Sequence, residues 1–213
     1  MVFFLVLGIV TFVVTVVFLK MRATARVKYI RSYVFPNMLA RKVREKYPHL
    51  TDAHMAQVAR GLRQYFLLYH NANKSFVSMP SQAADELWHE FILHTRSYQY
   101  FCKKAFGRFI HHVPAEAMRG RSMVQDGIKR AWRLACVAES INPKQPNRLP
   151  FIFALDALLS MPNGFHYSLD CRAENAPGNS HCAGDIGCGG ASGSDSSDSD
   201  TSGCGGGGCG GGD

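Results

Sequence analysis

The first apolar signal along the chain is continuous, not periodic. Residues 2–19, VFFLVLGIVTFVVTVVFL, carry no charge and are diluted only by Gly8, Thr11 and Thr15. At 1.5 Å per residue the run is about 27 Å long, enough to cross a bilayer core of roughly 30 Å with little tilt. A cleaved signal peptide would place basic residues before a shorter run and small residues at a cleavage site. Here Lys20-Met21-Arg22 follows the run directly, so the pattern predicts a retained anchor over residues 1–20.

Beyond the anchor the apolar residues recur at helical spacing. Residues 21–47 form a basic amphipathic segment interrupted at Pro36, whose ring pushes Phe35 out of the α region. Thr51 is placed as an N-cap for a helix carrying Met55, Val58, Ala59, Leu62, Tyr65, Phe66 and Tyr69, which ends before HNANKS. Ser81 caps a second helix, with Asp85 and Glu86 favourably near its positive end. Its apolar stripe, Ala84, Leu87, Trp88, Phe91, Thr95, Tyr98 and Cys102, predicts five continuous turns. FGRFIHHVP breaks the pattern. A helix over about 122–140 is expected to bury Val124, Ile128, Ala131, Trp132, Ala135 and Cys136, and another is expected in LPFIFALDALLS. No segment alternates with period two, so the body, residues 48–170, is expected to be all-α.

From Cys171 onward the chain changes character. ASGSDSSDSDTSGCGGGGCGGGD offers almost nothing to bury, which predicts a disordered Gly/Ser/Asp/Cys tail over residues 171–213. Cys171, Cys182, Cys188, Cys204 and Cys209, with His181, lack the paired spacing of a zinc ribbon. Asp195, Asp198 and Asp200 lack the glycine turn and closing glutamate of a calcium loop. Seven cysteines, two of them inside apolar helical patterns, imply no disulfide framework.

The net charge of +8 conceals an asymmetry. Residues 1–170 carry 23 Lys and Arg against 10 Asp and Glu, or +13, while residues 171–213 carry one against six, or −5. Lys20, Arg22, Arg26, Lys28 and Arg31 crowd the C-terminal side of the apolar run. The positive-inside rule therefore predicts a single-pass protein whose C-terminal domain is cytoplasmic. A basic body held beside that leaflet is expected to meet anionic headgroups, at about 1 kcal/mol per well-placed cation. No nucleic-acid-reading motif accompanies the charge, so nucleic acid is not an expected partner.

The densest chemistry is DELWHEFILHT, residues 85–95. Asp85 and His89 lie four apart and share a helix face, and a turn could bring His111 or His112 to them. Asp85, His89 and His112 would then supply one oxygen and two nitrogen donors to zinc or another divalent transition metal. HExxH is absent, because His94 falls one residue late and about 100° off the His89 face. The plain alternative is a half-buried His89, hydrogen-bonded to a carboxylate, that locks two elements together.

The block MPSQAADELWHEFILHTRSYQYFCKKAFGRFIHHVP, with the Gly/Cys-rich tail, resembles the glycine-rich-domain-containing protein family, including its small bacterial membrane-anchored members. Plant relatives carry Trp-His-x-His, an aromatic/cysteine pair, then Phe-Gly and a histidine. Trp88, His89, Cys102, Phe106, Gly107 and His112 match that order, while Phe91 stands where the second histidine of Trp-His-x-His would be. The resemblance covers about residues 45–170. It implies a helical domain at the inner membrane of a bacterium, in a family linked in plants to development and stress responses. The candidate cluster is accordingly Asp85, Trp88, His89, Cys102, His111 and His112. Two functions follow as expectations: a non-catalytic binding or assembly module at the membrane face with an unknown protein partner, or a metal site built on Asp85, His89 and His111 or His112.

Overall fold

The computed structural model describes residues 2–112, 121–169, 181–183 and 186. The expected disorder of the Gly/Ser/Cys-rich tail lies outside the described residues apart from those last four. The described chain is mostly helical: α1 (Val2–Ser32), α2 (Asn37–Lys46), α3 (Asp52–Asn71), α4 (Gln82–Leu93), α5 (Thr95–Ala105), α6 (Arg121–Ala138) and α7 (Phe151–Leu158). A two-residue parallel pair, β1 (Tyr167–Ser168) with β2 (His181–Cys182), completes it.

α1 is long and apolar enough to cross a membrane, and none of its apolar window is buried against the rest of the chain. The helix does not end with the apolar run. It continues into the folded body, where Ile30 is fully buried and Tyr29 and Tyr33 stack on Phe101. Residues 21–47, read from sequence as a juxtamembrane segment, thus contribute Ile30, Phe35, Leu39 and Val43 to the core. Pro36 starts α2 as its N-cap, with the chain extended around it.

α3 is the hub on which α1, α4, α6 and α7 all pack. Thr51 caps it: its hydroxyl accepts from the His54 N–H, and His54 reaches back to the Thr51 N–H. That reciprocal pair satisfies two backbone donors that a helix start leaves orphaned. Gly61 lets α7 approach closely, because a Cβ there would collide with the Leu155 side chain.

The five-turn helix expected through Cys102 is broken at His94, which adopts φ −81° and ψ 61°. Ten residues of straight helix would separate Phe91 from Phe101 by about 15 Å, yet their rings lie 5.4 Å apart. α5 therefore folds back along α4, and the apolar stripe closes on itself as a cluster of Phe91, Tyr98, Phe101, Tyr33, Phe35 and Phe66. Facing rings bury more apolar area against each other than a single helix face could. Periodicity alone cannot report such a reversal, since both halves keep the same spacing.

The segment assigned to the tail also rejoins the body: His181 donates its backbone N–H to His166, and Ala183 is fully buried. Cys182 is disulfide-bonded, its partner lying outside the described residues. The sequence, whose cysteines implied no disulfide framework, did not point to this single bond. The spacing of the tail cysteines carried no signal of it.

Two carboxylates, buried Glu86 and half-buried Glu139, tie the helices together. Glu86 accepts from Lys46 Nζ at 2.6 Å, Gln82 Nε2 at 2.9 Å and the Tyr47 hydroxyl at 3.1 Å. Burial pushes its pKa up, and those three hydrogen bonds overcome burial, so it stands below the ordinary 4.5. Glu139 is depressed in the same way: burial opposes, while Arg148, Gln64 and the Phe151 N–H outweigh it. A depressed folded pKa means stability that is fully present above the ordinary value and is lost as pH falls from there through the lower folded value. Thermal unfolding should accordingly show a falling melting temperature as pH drops through about 4.5. Glu86→Gln and Glu139→Gln should each flatten that acid limb, and an unchanged slope in both would remove these carboxylates as its source.

Candidate metal centre

The site begins at the N-terminus of α4. Ser81 Oγ accepts from the Ala84 N–H at 3.2 Å and donates to Asp156 Oδ1 at 2.6 Å. Asp156 arrives from α7, is 1 % exposed, and accepts from the Gln82, Ala83 and Phe165 N–H groups at 2.7, 3.1 and 2.9 Å. A carboxylate on free helix N–H groups is stabilised by both the hydrogen bonds and the helix dipole. Asp156 thus fixes where α4 starts and hence where Asp85 and His89 point. The sequence carried one faint signal for it, a lone carboxylate inside the apolar run FIFALDALL.

The third group is delivered by the return loop. Gly107 ends α5 with φ +74°, its N–H shared between the Cys102 and Lys103 carbonyls at 3.1 Å each. This is a helix stop for which glycine is suited, and a Cβ there would also collide with the Arg26 guanidinium of α1. The loop is then held from beneath. Trp88 donates its indole N–H to the Tyr98 oxygen at 3.2 Å, and Tyr98 donates its hydroxyl to the Ile110 carbonyl at 2.7 Å. All of these groups are buried, and the chain of bonds sets His112 against the edge of Trp88, with ring centroids 4.7 Å apart.

Asp85, His89 and His112 converge. His112 Nε2 lies 3.0 Å from Asp85 Oδ1, and His89 Nε2 lies 3.5 Å from Oδ2 of the same carboxylate. The two imidazole centroids are 4.4 Å apart, and one donor atom from each residue falls within 4.8 Å of the others. Metal–nitrogen and metal–oxygen bonds of about 2.0–2.2 Å place neighbouring donors roughly 3–3.5 Å apart, so the cluster fits an ion with small adjustments. The Asp85 and His112 side chains are 18 % and 15 % exposed, and His89 is 44 % exposed. That leaves the His89 side open to solvent.

Trp88 serves as the wall of the cluster. Cys102 and His111 stand outside it. Cys102 is buried and its thiol is pushed up, chiefly by burial, with the Ile110 backbone and Tyr98 opposing. It is a weak metal ligand in that state. Cys136 is likewise buried and pushed up to about 11. His111 is exposed, with its ring on Phe109 at 4.9 Å. It lines a cleft of about 270 Å³ that also takes in Tyr65, Tyr69, Lys74, Trp88 and Arg108 and reaches the cluster at His112.

A family model described as UCP032817-like matches residues 25–186. The chain belongs to the UCP032817-like family. The match starts on α1 just beyond the apolar run and ends at Ile186, so the UCP032817-like region takes in the docked part of α1, the Asp85, His89 and His112 cluster and the β pair. No curated protein and no solved structure matches the chain.

The cap at α4 makes a graded prediction. Ser81→Ala removes an N-cap at about 1 kcal/mol, whereas Asp156→Ala strands several buried donors at about 3 kcal/mol or more. Denaturant unfolding should rank them in that order, with the double variant less costly than the sum because they share a network. Equal costs would show that Asp156 does not hold the helix start.

Proposed function

We propose that the protein is a membrane-anchored metal-binding protein whose Asp85, His89 and His112 hold one divalent transition ion. The observation that carries this reading is the convergence of the three donors from two elements, with one side open. Two imidazoles and a carboxylate suit zinc, iron(II) or manganese, and three protein ligands leave positions for water or a ligand. An ion so held acts as a Lewis acid on what occupies those positions. The other expectation, a non-catalytic assembly module, calls for a buried His89 with a satisfied partner. The half-exposed His89 and its long, 3.5 Å, approach to Asp85 favour the metal reading. The resemblance to the glycine-rich-domain-containing family gains support from the same place, since the matching residues Trp88, His89 and His112 contact one another and Phe106 and Gly107 shape the loop that brings His112.

The α1 anchor is proposed to cross a bacterial inner membrane with the domain on the cytoplasmic side, as the five cations after the apolar run favour. A disulfide at Cys182 is more at home in an oxidising compartment, which gives orientation a sharp test. After mild reduction, a membrane-impermeant maleimide should modify the tail cysteines only once cells are opened. Modification in intact cells would place the domain outside.

For the site, the full chain in detergent should retain a single metal ion through purification without a histidine tag, as measured by mass spectrometry. Asp85→Asn and His89→Ala should lose it while keeping the helical circular dichroism of the parent. A parent that stays metal-free and gains no thermal stability from added zinc, iron(II) or manganese would sink the reading, because an ion bound only to the folded state must raise its melting temperature.

A further inference from the structure

The contacts of α1 decide which end of the domain faces the bilayer. Going forward along α1, Arg26 lies against Gly107 at the end of α5 and acts on His70 at the end of α3. Further on, Tyr33 accepts from Arg63 through its carbonyl and stacks on Phe101. α3 and α5 therefore both run antiparallel to α1, and their C-terminal ends are the membrane-proximal ones. Seven residues of helix separate Leu19, the end of the apolar run, from Arg26, which is about 10 Å. The loops that follow α3 and α5 are thereby held at the height of the lipid headgroups.

Those loops and helix ends are cationic and aromatic. Lys103 and Lys104 end α5, Arg108 follows, and Lys74 comes from the loop after α3. None of the four has a carboxylate within ion-pair distance among the described residues. Arg108 is braced by Tyr69, donating to its hydroxyl at 3.1 Å. Asn73 and Lys74 both take positive φ, 48° and 73°. Consecutive non-glycine residues in that region cost energy and tend to persist where a site requires them. Tyr100 is 59 % exposed with Lys104 over its ring, and Phe109 is 45 % exposed and lines the cleft; aromatic rings beside cations of this kind are common at membrane interfaces. Lys74 and Arg108 moreover line the cleft that runs to His112.

We propose that this cleft binds the phosphate of an anionic phospholipid headgroup between Lys74 and Arg108, with the Phe109 ring forming part of its wall. The inference rests on α1 crossing the bilayer and is independent of whether the cluster holds metal. It replaces a loose attraction between a basic chain and a leaflet with a built headgroup site. It also places the lipid phosphate at the entrance to the Asp85, His89 and His112 cluster.

The test uses the full chain in nanodiscs of mixed phosphatidylglycerol and phosphatidylcholine, released for native mass spectrometry. A cation near the surface is worth about a factor of five, so the parent should keep phosphatidylglycerol over phosphatidylcholine by about thirty-fold for two cations. Lys74→Ala/Arg108→Ala should abolish the preference, and Lys74→Arg/Arg108→Lys should keep it. The charge-preserving pair decides the matter if the alanine pair melts early. Equal retention of both lipids by the parent overturns the proposal. Displacement of the lipid by inorganic phosphate at constant ionic strength overturns it too, by making the cleft a site for the free anion. Flotation with neutral phosphatidylcholine vesicles reports separately on the anchor: a chain that does not float has lost the premise about α1, whatever its lipid preference.

Discussion

The hydrogen-bond chain from Trp88 through Tyr98 to the Ile110 carbonyl is the constraint on which the site depends. It is buried, and it joins three segments: α4, the reversed α5 that also packs on α4 through Phe91, Tyr98 and Phe101, and the return loop. Its cost of assembly is offset because each polar atom is satisfied, leaving none buried and orphaned among the described side chains. Breaking one link strands the next in a low-dielectric interior, where an unpaired polar group is expensive. The chain therefore acts as one unit, and what it fixes is the height of the loop above α4. His112 meets Asp85 as a consequence.

A second unit fixes the other half of the site by a different force. Asp156 reaches from α7 onto the start of α4, so the orientation of Asp85 and His89 is set by a helix more than sixty residues downstream. The two devices meet at α4 from opposite ends, one electrostatic and one aromatic. Between them they hold two imidazoles against a single carboxylate, an arrangement that solvent would otherwise loosen, since the His89 contact alone is long and half-exposed.

Much of the helical layout was legible in the sequence because each start carried its own chemistry. Thr51 and Ser81 are side-chain caps, Pro36 is a break, and Met55 to Tyr69 repeats on one face. Asp85, His89 and His112 could be grouped because i, i+4 spacing is local and the Gly107 turn announces a reversal. What stayed hidden was non-local. The fold-back at His94 keeps the same periodicity on both sides, and nothing in DELWHEFILHT distinguishes a five-turn helix from two helices whose stripes face each other. Asp156 carried only the faint signal of a lone carboxylate in an apolar run because its partners on α4 lie 73 to 75 positions away. Cys102 sits in the apolar stripe of the sequence and is buried as that spacing implies, hydrogen-bonded with Tyr98, so it stands apart from the histidines it was also grouped with.

The continuity of α1 gives these local facts a direction in space. A flexible linker of the same length would let the domain tumble, so that any basic surface could reach lipid and none would be selected. A helix that runs unbroken from the apolar run into the aromatic core fixes the direction of that run relative to the body. Ile30, Tyr29 and Tyr33 are buried or stacked against α3 and α5, so the stalk cannot rotate without undoing the core. Gly107 contributes to the same rigidity, because the missing Cβ is what lets Arg26 lie against the end of α5. The residue that stops α5 and turns the loop toward Asp85 thus also seats the body on α1, which couples the position of the Asp85, His89 and His112 cluster to the direction of the apolar helix.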